Sequence, residues 1–177
     1  LGDVYKRQRL WDAEEQTADK ITFVIKDAEG QQGYPGNAVM KVTYEVTEAN
    51  ELSITYHATA DKTTIFNMTN HAYFNLNGAG SGSAMEQILQ IRASHYTPVI
   101  DAKSIPTGEI ASVDGTPFDF REAKPMGRDI EQANDQLSYG HGYDHNFVLD
   151  KERAGLEKIA TAYSTKSCLL YTSDAAD

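Results

Sequence analysis

The sequence predicts an all-β protein, a sandwich or barrel of short strands. Two segments in succession alternate with period two, further short strand-like runs follow, and Gly- and Pro-rich turns separate them. Only residues 126–135, "MGRDIEQAND", suggest a helix, and a short one. Many short strands with such punctuation indicate a sandwich or barrel.

The elements follow in chain order. "ITFVI" (21–25) is a first strand, and "EGQQGYPGN" (29–37) is a turn. In 39–48, Met40, Val42, Tyr44 and Val46 alternate with Lys41, Thr43, Glu45 and Thr47. In 51–60, Leu52, Ile54, Tyr56 and Ala58 alternate with Ser53, Thr55, His57 and Thr59, so the two form a hairpin with one wet face. "TTIFNMTNHAYFNL" (63–76), "EQILQIRA" (86–93), "HNFVL" (145–149) and "LEKIATAYS" (156–164) read as further strands. "NGAGSGS" (77–83) and "SYGHGYD" (138–144) are connections, and there is neither an internal repeat nor an interdomain linker.

With 177 residues, 40% of them hydrophobic, and a mean hydropathy of -0.51, the chain can build one domain with a sizeable core. No apolar run approaches the ~20 residues of a membrane-spanning helix. A net charge of -10 and a pI of about 4.9 repel phosphate backbones and disfavour nucleic acid as a partner. The single cysteine, Cys168, leaves no internal disulfide and no thiolate metal cluster. The ends, "LGDVYKRQ" and "CLLYTSDAAD", are similar to translated sequencing-adapter read-through. The expectation is therefore that residues 1–8 and 168–177 are non-native tails, that 9–167 holds the domain, and that the native termini are missing.

Two stretches stand out as chemistry-bearing. In an extended 70–78, "NHAYFNLNG", His71, Tyr73 and Asn75 share one face, with Asn70 beside them, while Ala72, Phe74 and Leu76 share the other. An imidazole, a phenol and an amide together are costly to bury without hydrogen bonds, so this face is either a satisfied polar patch or the floor of a site. Asp144 and Asn146 share a face at a strand mouth, opposite Tyr143, His145 and Phe147. Asp144 there is either a turn-forming residue or an acceptor for a small polar ligand. Gly78 and Gly80 imitate a dinucleotide fingerprint, but Ser83 stands where its third glycine belongs. His141 and His145 imitate a zinc pair, but Gly140 and Gly142 oppose a helix, and an extended chain holds the two ~13 Å apart at ~3.3 Å per residue.

Taken together and in order, "TNHAYFNLNG" and "GYDHNFVL" resemble the two signature strands of the aldose 1-epimerases, or galactose mutarotases. The turn Gly33-Tyr34-Pro35-Gly36-Asn37 resembles that family's third landmark, and "RLWDAEE" (9–15) is similar to the segment shortly before it. The resemblance runs from about Arg9 to about Ser167. It implies a large antiparallel β-sandwich, the galactose mutarotase-like supersandwich, here truncated at both ends, with an open sugar cleft. It also implies interconversion of the α and β anomers of aldoses such as galactose and glucose. Ring opening needs a proton given to the ring oxygen and one taken from the anomeric hydroxyl, and an imidazole, titrating near ~6.5 in water, suits the first task.

By resemblance His71 is that general acid, Tyr73 and Asn70 line the sugar site, and Asp144 accepts hydrogen bonds from sugar hydroxyls. The family's base is a glutamate in a Glu-(Thr)-Gln stretch, which nothing after Asp144 matches; Glu152 and Glu157 stand in another context. Little or no turnover is expected of this chain as given, and missing strands should expose sheet edges. The mechanism requires no metal or cofactor; calcium accompanies some relatives, and no oxygen-rich loop here argues for it. The expected partner is a monosaccharide, with no nucleic acid and no membrane. A monomer in the cytoplasm, or else the periplasm, is expected. The rival readings are a non-catalytic carbohydrate-binding sandwich module, a domain of a polysaccharide-processing enzyme, and a structural domain with an internally satisfied polar face.

Overall fold

The hairpin predicted by the two alternating segments is present, within a longer meander, in the computed structural model, which describes residues 9–175. β1 (Asp12–Gln16), β2 (Lys20–Asp27), β3 (Ala38–Val46) and β4 (Leu52–Ala60) form one antiparallel sheet in chain order. The register explains the two faces. Val42 lies opposite both Phe23 and Tyr56, and Tyr44 lies opposite Ile21 and Ile54, so apolar residues meet across three strands. The other face is polar: the Thr22 and Thr43 hydroxyls are 2.9 Å apart, and Lys41 and Lys20 pair with Glu14 and Glu15.

The turn before β3 is closed by a polar clamp. Asp61, at the exit of β4, accepts hydrogen bonds from the backbone N–H and the side-chain amide of Asn37, both at 2.7 Å. Gly36 has φ +86°, and a Cβ there would lie 2.9 Å from Asp61 Oδ1, so glycine is required twice over. The hydrogen bonds from Asn37 hold the Asp61 carboxyl below the usual carboxylate range.

The chain divides after His71 into two compact units. The expected strand over 63–76 is absent, and these residues join no ladder. The physical reason is that alternation assigns faces but supplies no neighbour; none of the described strands pairs there, and exposed backbone can bond to water instead.

The second unit has a four-stranded antiparallel sheet of β5 (Ile88–Ile91), β8 (Lys124–Pro125), β10 (Glu157–Tyr163) and β11 (Leu170–Ala175), in the order β11-β10-β5-β8. A three-stranded sheet places β6 (His95–Tyr96) between β7 (Ala111–Ser112) and β9 (Phe147–Val148). Segment 170–175, set aside as tail in the sequence reading, thus forms an edge strand against β10. Residues 1–8 and 176–177 of the two expected tails lie outside the described residues.

The expected helix over 126–135 is instead a run of turns. The helix α1 (Asp135–Gly140) begins as that segment ends, because Asn134 caps the backbone N–H groups of Gln136 and Leu137. Phe118 and Val113, both 0% exposed, form the core with Tyr96 and Leu137, and Tyr96 stacks on Phe118 at 4.6 Å. Lys124 is buried beside them. Its ammonium donates to the Pro117 carbonyl and to Asp129, both at 2.7 Å, and lies 4.3 Å from the Phe120 ring centre. Among the described residues no helix is long and apolar enough to cross a membrane.

Candidate functional site

The two signature segments supply all four candidate residues. Asn70 and His71 belong to the first unit, Tyr73 and Asp144 to the second, and all four side chains are exposed. Asn70 donates to the Tyr44 hydroxyl at 3.4 Å, which ties the residue before His71 to the apolar face of the meander. Tyr73 is 86% exposed, and Phe74 beside it is 59% exposed, its ring 5.6 Å from Tyr171.

Asn75 departs from the expected polar face. Its side-chain oxygen accepts from Gln87 at 2.7 Å and from the Asn77 N–H at 3.0 Å, and its amide donates to the Gly82 carbonyl at 2.9 Å. Gln87, 3% exposed, in turn accepts from the Leu76 N–H. Asn75 is therefore an anchor for the glycine loop 77–83, in which Gly78, Gly80 and Gly82 all take positive φ. No letter pattern marks an asparagine that bonds twelve residues ahead, so the sequence alone left open whether Asn75 belonged to a satisfied polar patch or to a site.

In the second segment the alternation holds. Asp144 and Asn146 are exposed, whereas Tyr143, His145 and Phe147 turn inward. His145 packs edge-on against Phe118 at 4.7 Å and Tyr96 at 5.8 Å. Its tautomer follows from its neighbour. The Gln136 side chain accepts from the Val99 N–H at 2.7 Å and donates to the Val99 carbonyl at 3.1 Å, which fixes which end of the amide is oxygen. That oxygen lies 3.1 Å from His145 Nε2, so Nε2 carries the proton and donates. Nδ1 is left buried without a protein partner among the described residues, and burial, partly offset by Asp144, lowers the imidazole pKa. The Tyr143 hydroxyl is likewise buried and unpartnered there, and burial, with Asp129 adding to it, pushes its pKa up to about 12.

His141, with φ +52°, ends α1 and is exposed, so the letters "HGYDH" split into a helix stop, an exposed acid and a core imidazole. Among the described residues no three His, Cys, Asp or Glu side chains gather as a metal would need. The two later glutamates are engaged elsewhere. Glu157 is buried and accepts from Arg92 at 2.8 Å and from the Glu152 N–H at 3.0 Å. The backbone N–H groups of Glu152 and Arg153, with the Arg92 guanidinium, hold its carboxyl below the usual range. Glu152 pairs with the same arginine at 3.1 Å. A shallow hollow of about 290 Å³ lies between the turn after β1 and Tyr44, Val46 and Leu52. None of the four candidate residues lines this hollow.

The family model described as aldose 1-epimerase matches residues 2–176. The Haemophilus influenzae aldose 1-epimerase is 38% identical over 171 residues, covering 96% of this chain and 46% of that protein. The Escherichia coli aldose 1-epimerase is 41% identical over 157 residues, covering 89% and 44%. The crystal structure of galactose 1-epimerase from Lactobacillus acidophilus superposes with a TM-score of 0.76 at 33% identity, covering 88% of this chain and 45% of that one. The chain therefore spans just under half the length of the relatives it matches, and its all-β architecture is that of the same fold.

Proposed function

We propose, from the premise that this chain belongs to the aldose 1-epimerase family, that it carries the acid half of a site that interconverts the α and β anomers of aldohexoses such as galactose and glucose. The reading rests on one observation above all. Within the two signature segments, the side chains of Asn70, which also donates to Tyr44, and of His71, Tyr73 and Asp144 are exposed, whereas Asn75 and His145 are partly buried.

His71 gives its proton to the ring oxygen as the bond from that oxygen to the anomeric carbon breaks. A base removes the proton of the anomeric hydroxyl, leaving an open-chain aldehyde. Rotation about C1–C2 presents the other face of the carbonyl, and the reverse transfers close the ring as the opposite anomer. Asp144, an acceptor only, takes hydrogen bonds from sugar hydroxyls, and Asn70 and Tyr73 are sugar-lining residues. Glu157, already committed to Arg92 and two backbone donors, is poorly suited to be the base. A missing proton-transfer partner costs ~10²–10⁴-fold, so this chain alone is expected to turn over weakly.

Polarimetry of freshly dissolved α-galactose, with the chain and with His71→Ala, tests the proposal. Equilibration faster than buffer that is lost in the variant supports it. Acceleration that survives in the variant overturns the role of His71. Galactose binding by calorimetry without any acceleration, in this chain and in one extended by the family's Glu-(Thr)-Gln stretch, favours the carbohydrate-binding module instead.

A further inference from the structure

Asp144 stands where regular structure runs out. β9 begins only at Phe147 and is two residues long, so its ladder to β6 fixes little of what precedes it. On the other side Gly142, with φ +126°, accepts from the Asp144 N–H at 3.2 Å. A carboxylate that recognises hydroxyls needs a firmer mount, because hydrogen bonds weaken steeply away from their preferred distance and angle.

That mount lies on the inward side of the segment. His145 is packed edge-on against Phe118 and Tyr96, and its Nε2 donates to the Gln136 side-chain oxygen at 3.1 Å. Gln136 has a single orientation, because both ends of its amide are used on the Val99 backbone, at 2.7 and 3.1 Å. Its own backbone N–H is capped by Asn134 at the start of α1, and Val99 is buried and bridged to Pro106. One glutamine therefore ties α1 and the stretch around Val99 to the segment that carries Asp144.

We propose, resting on the reading of Asp144 as a sugar acceptor, that Gln136 and His145 are positioning residues, a lock that sets where the Asp144 carboxylate points, with Gly140 leaving the space for it. Neighbours on an extended chain face opposite ways, so a ring seated inward holds the preceding carboxylate outward. A slip of one residue would bury Asp144 and expose His145. Gly140, the last residue of α1, completes the lock. A Cβ there would lie 3.0 Å from His145 Cε1 and 3.4 Å from the Asp144 Cβ, and the ring is already against Phe118. Burial lowers the imidazole pKa, so near neutral pH the ring is held by its one donated proton.

Two measurements on this chain test the lock, the first without sugar. Gln136→Met keeps the length of the side chain and removes both polar ends, whereas Gly140→Ala adds one methyl group and removes nothing. Backbone ¹⁵N relaxation should find the Asp144 amide ordered in the unaltered chain, with S² of about 0.85, and falling toward ~0.6 in Gln136→Met. In galactose titrations followed by NMR, Asp144→Ala should weaken binding about tenfold or more. Gln136→Met and Gly140→Ala should each weaken it about three- to tenfold, with no further loss when combined with Asp144→Ala. Alanine is ordinarily the better helix residue, so a loss in Gly140→Ala does not come from helix propensity, and this variant carries the test if Gln136→Met fails to fold.

An Asp144 amide as ordered in Gln136→Met as in the unaltered chain overturns the lock, whatever the sugar does. Affinity lowered by Asp144→Ala but by neither other variant overturns it too, as does a loss that persists in the Asp144→Ala background, the mark of a general defect in folding. Absence of galactose binding by the unaltered chain, or binding unchanged in Asp144→Ala, overturns the reading of Asp144 as a sugar acceptor, and the positioning role falls with it.

Discussion

Residues 71–75 and residues 143–147 are written alike, each alternating between two faces with one histidine. In the second stretch, Tyr143, His145 and Phe147 turn onto Phe118 and Phe120, and the chain enters β9. In the first, His71 and Tyr73 stay exposed, Phe74 is 59% exposed, and no ladder forms. The difference teaches that alternation sorts side chains by face, while packing needs a surface to receive one of those faces. It also divides the two histidines by use. His145 gives its Nε2 proton to Gln136 and serves the core, whereas the His71 side chain is exposed.

The sharpest way to break the comparison is Phe118→Ala. Removing a fully buried ring that Tyr96, Tyr143 and His145 all touch should cost about 3–5 kcal/mol. Urea unfolding measures it, and a loss under ~1 kcal/mol would mean that the segment does not depend on this core. Acid should produce a smaller effect. The imidazole of His145 binds its proton less readily folded than unfolded, so between the two pKa values the unfolded chain holds more protons. Stability from this group is complete above ~6.5, the unfolded value, and is lost as pH falls through the folded one. Denaturation midpoints between about pH 5 and about pH 8 should therefore fall on the acid side, and His145→Phe should flatten that part of the profile. The smallest effect is expected of Tyr73→Ala, within about 0.5 kcal/mol, because 86% of the residue already faces water. A loss several times larger would place Tyr73 with the packed residues.

The meander was legible because β2, β3 and β4 are long enough to show their period and are close neighbours in sequence. The family was legible from the signature letters, as was the shared face of Tyr143, His145 and Phe147 opposite Asp144 and Asn146. Three things were not. β6, β7 and β8 are two residues each, too short to carry any period. The helix start at Asn134 was hidden inside a segment read as helix body, although a capping asparagine was its signal. Partners distant in sequence, such as Gln136 with Val99 or Gln87 with Asn75, leave no local trace, so Asn75 could not be told from a ligand-binding amide.

The sheet orders imply different assembly times. Every ladder of the meander joins residues no more than 25 positions apart, so it can zip up hairpin by hairpin as the chain leaves the ribosome. The ladder between β5 and β10 joins residues 69 to 75 positions apart. At roughly 5–20 residues per second, β5 emerges on the order of 4–14 s before the strand that will cover it. Through that interval Ile88, Leu89 and Ile91 have no β10 to pair with, and they are the natural hold for a chaperone on the nascent chain.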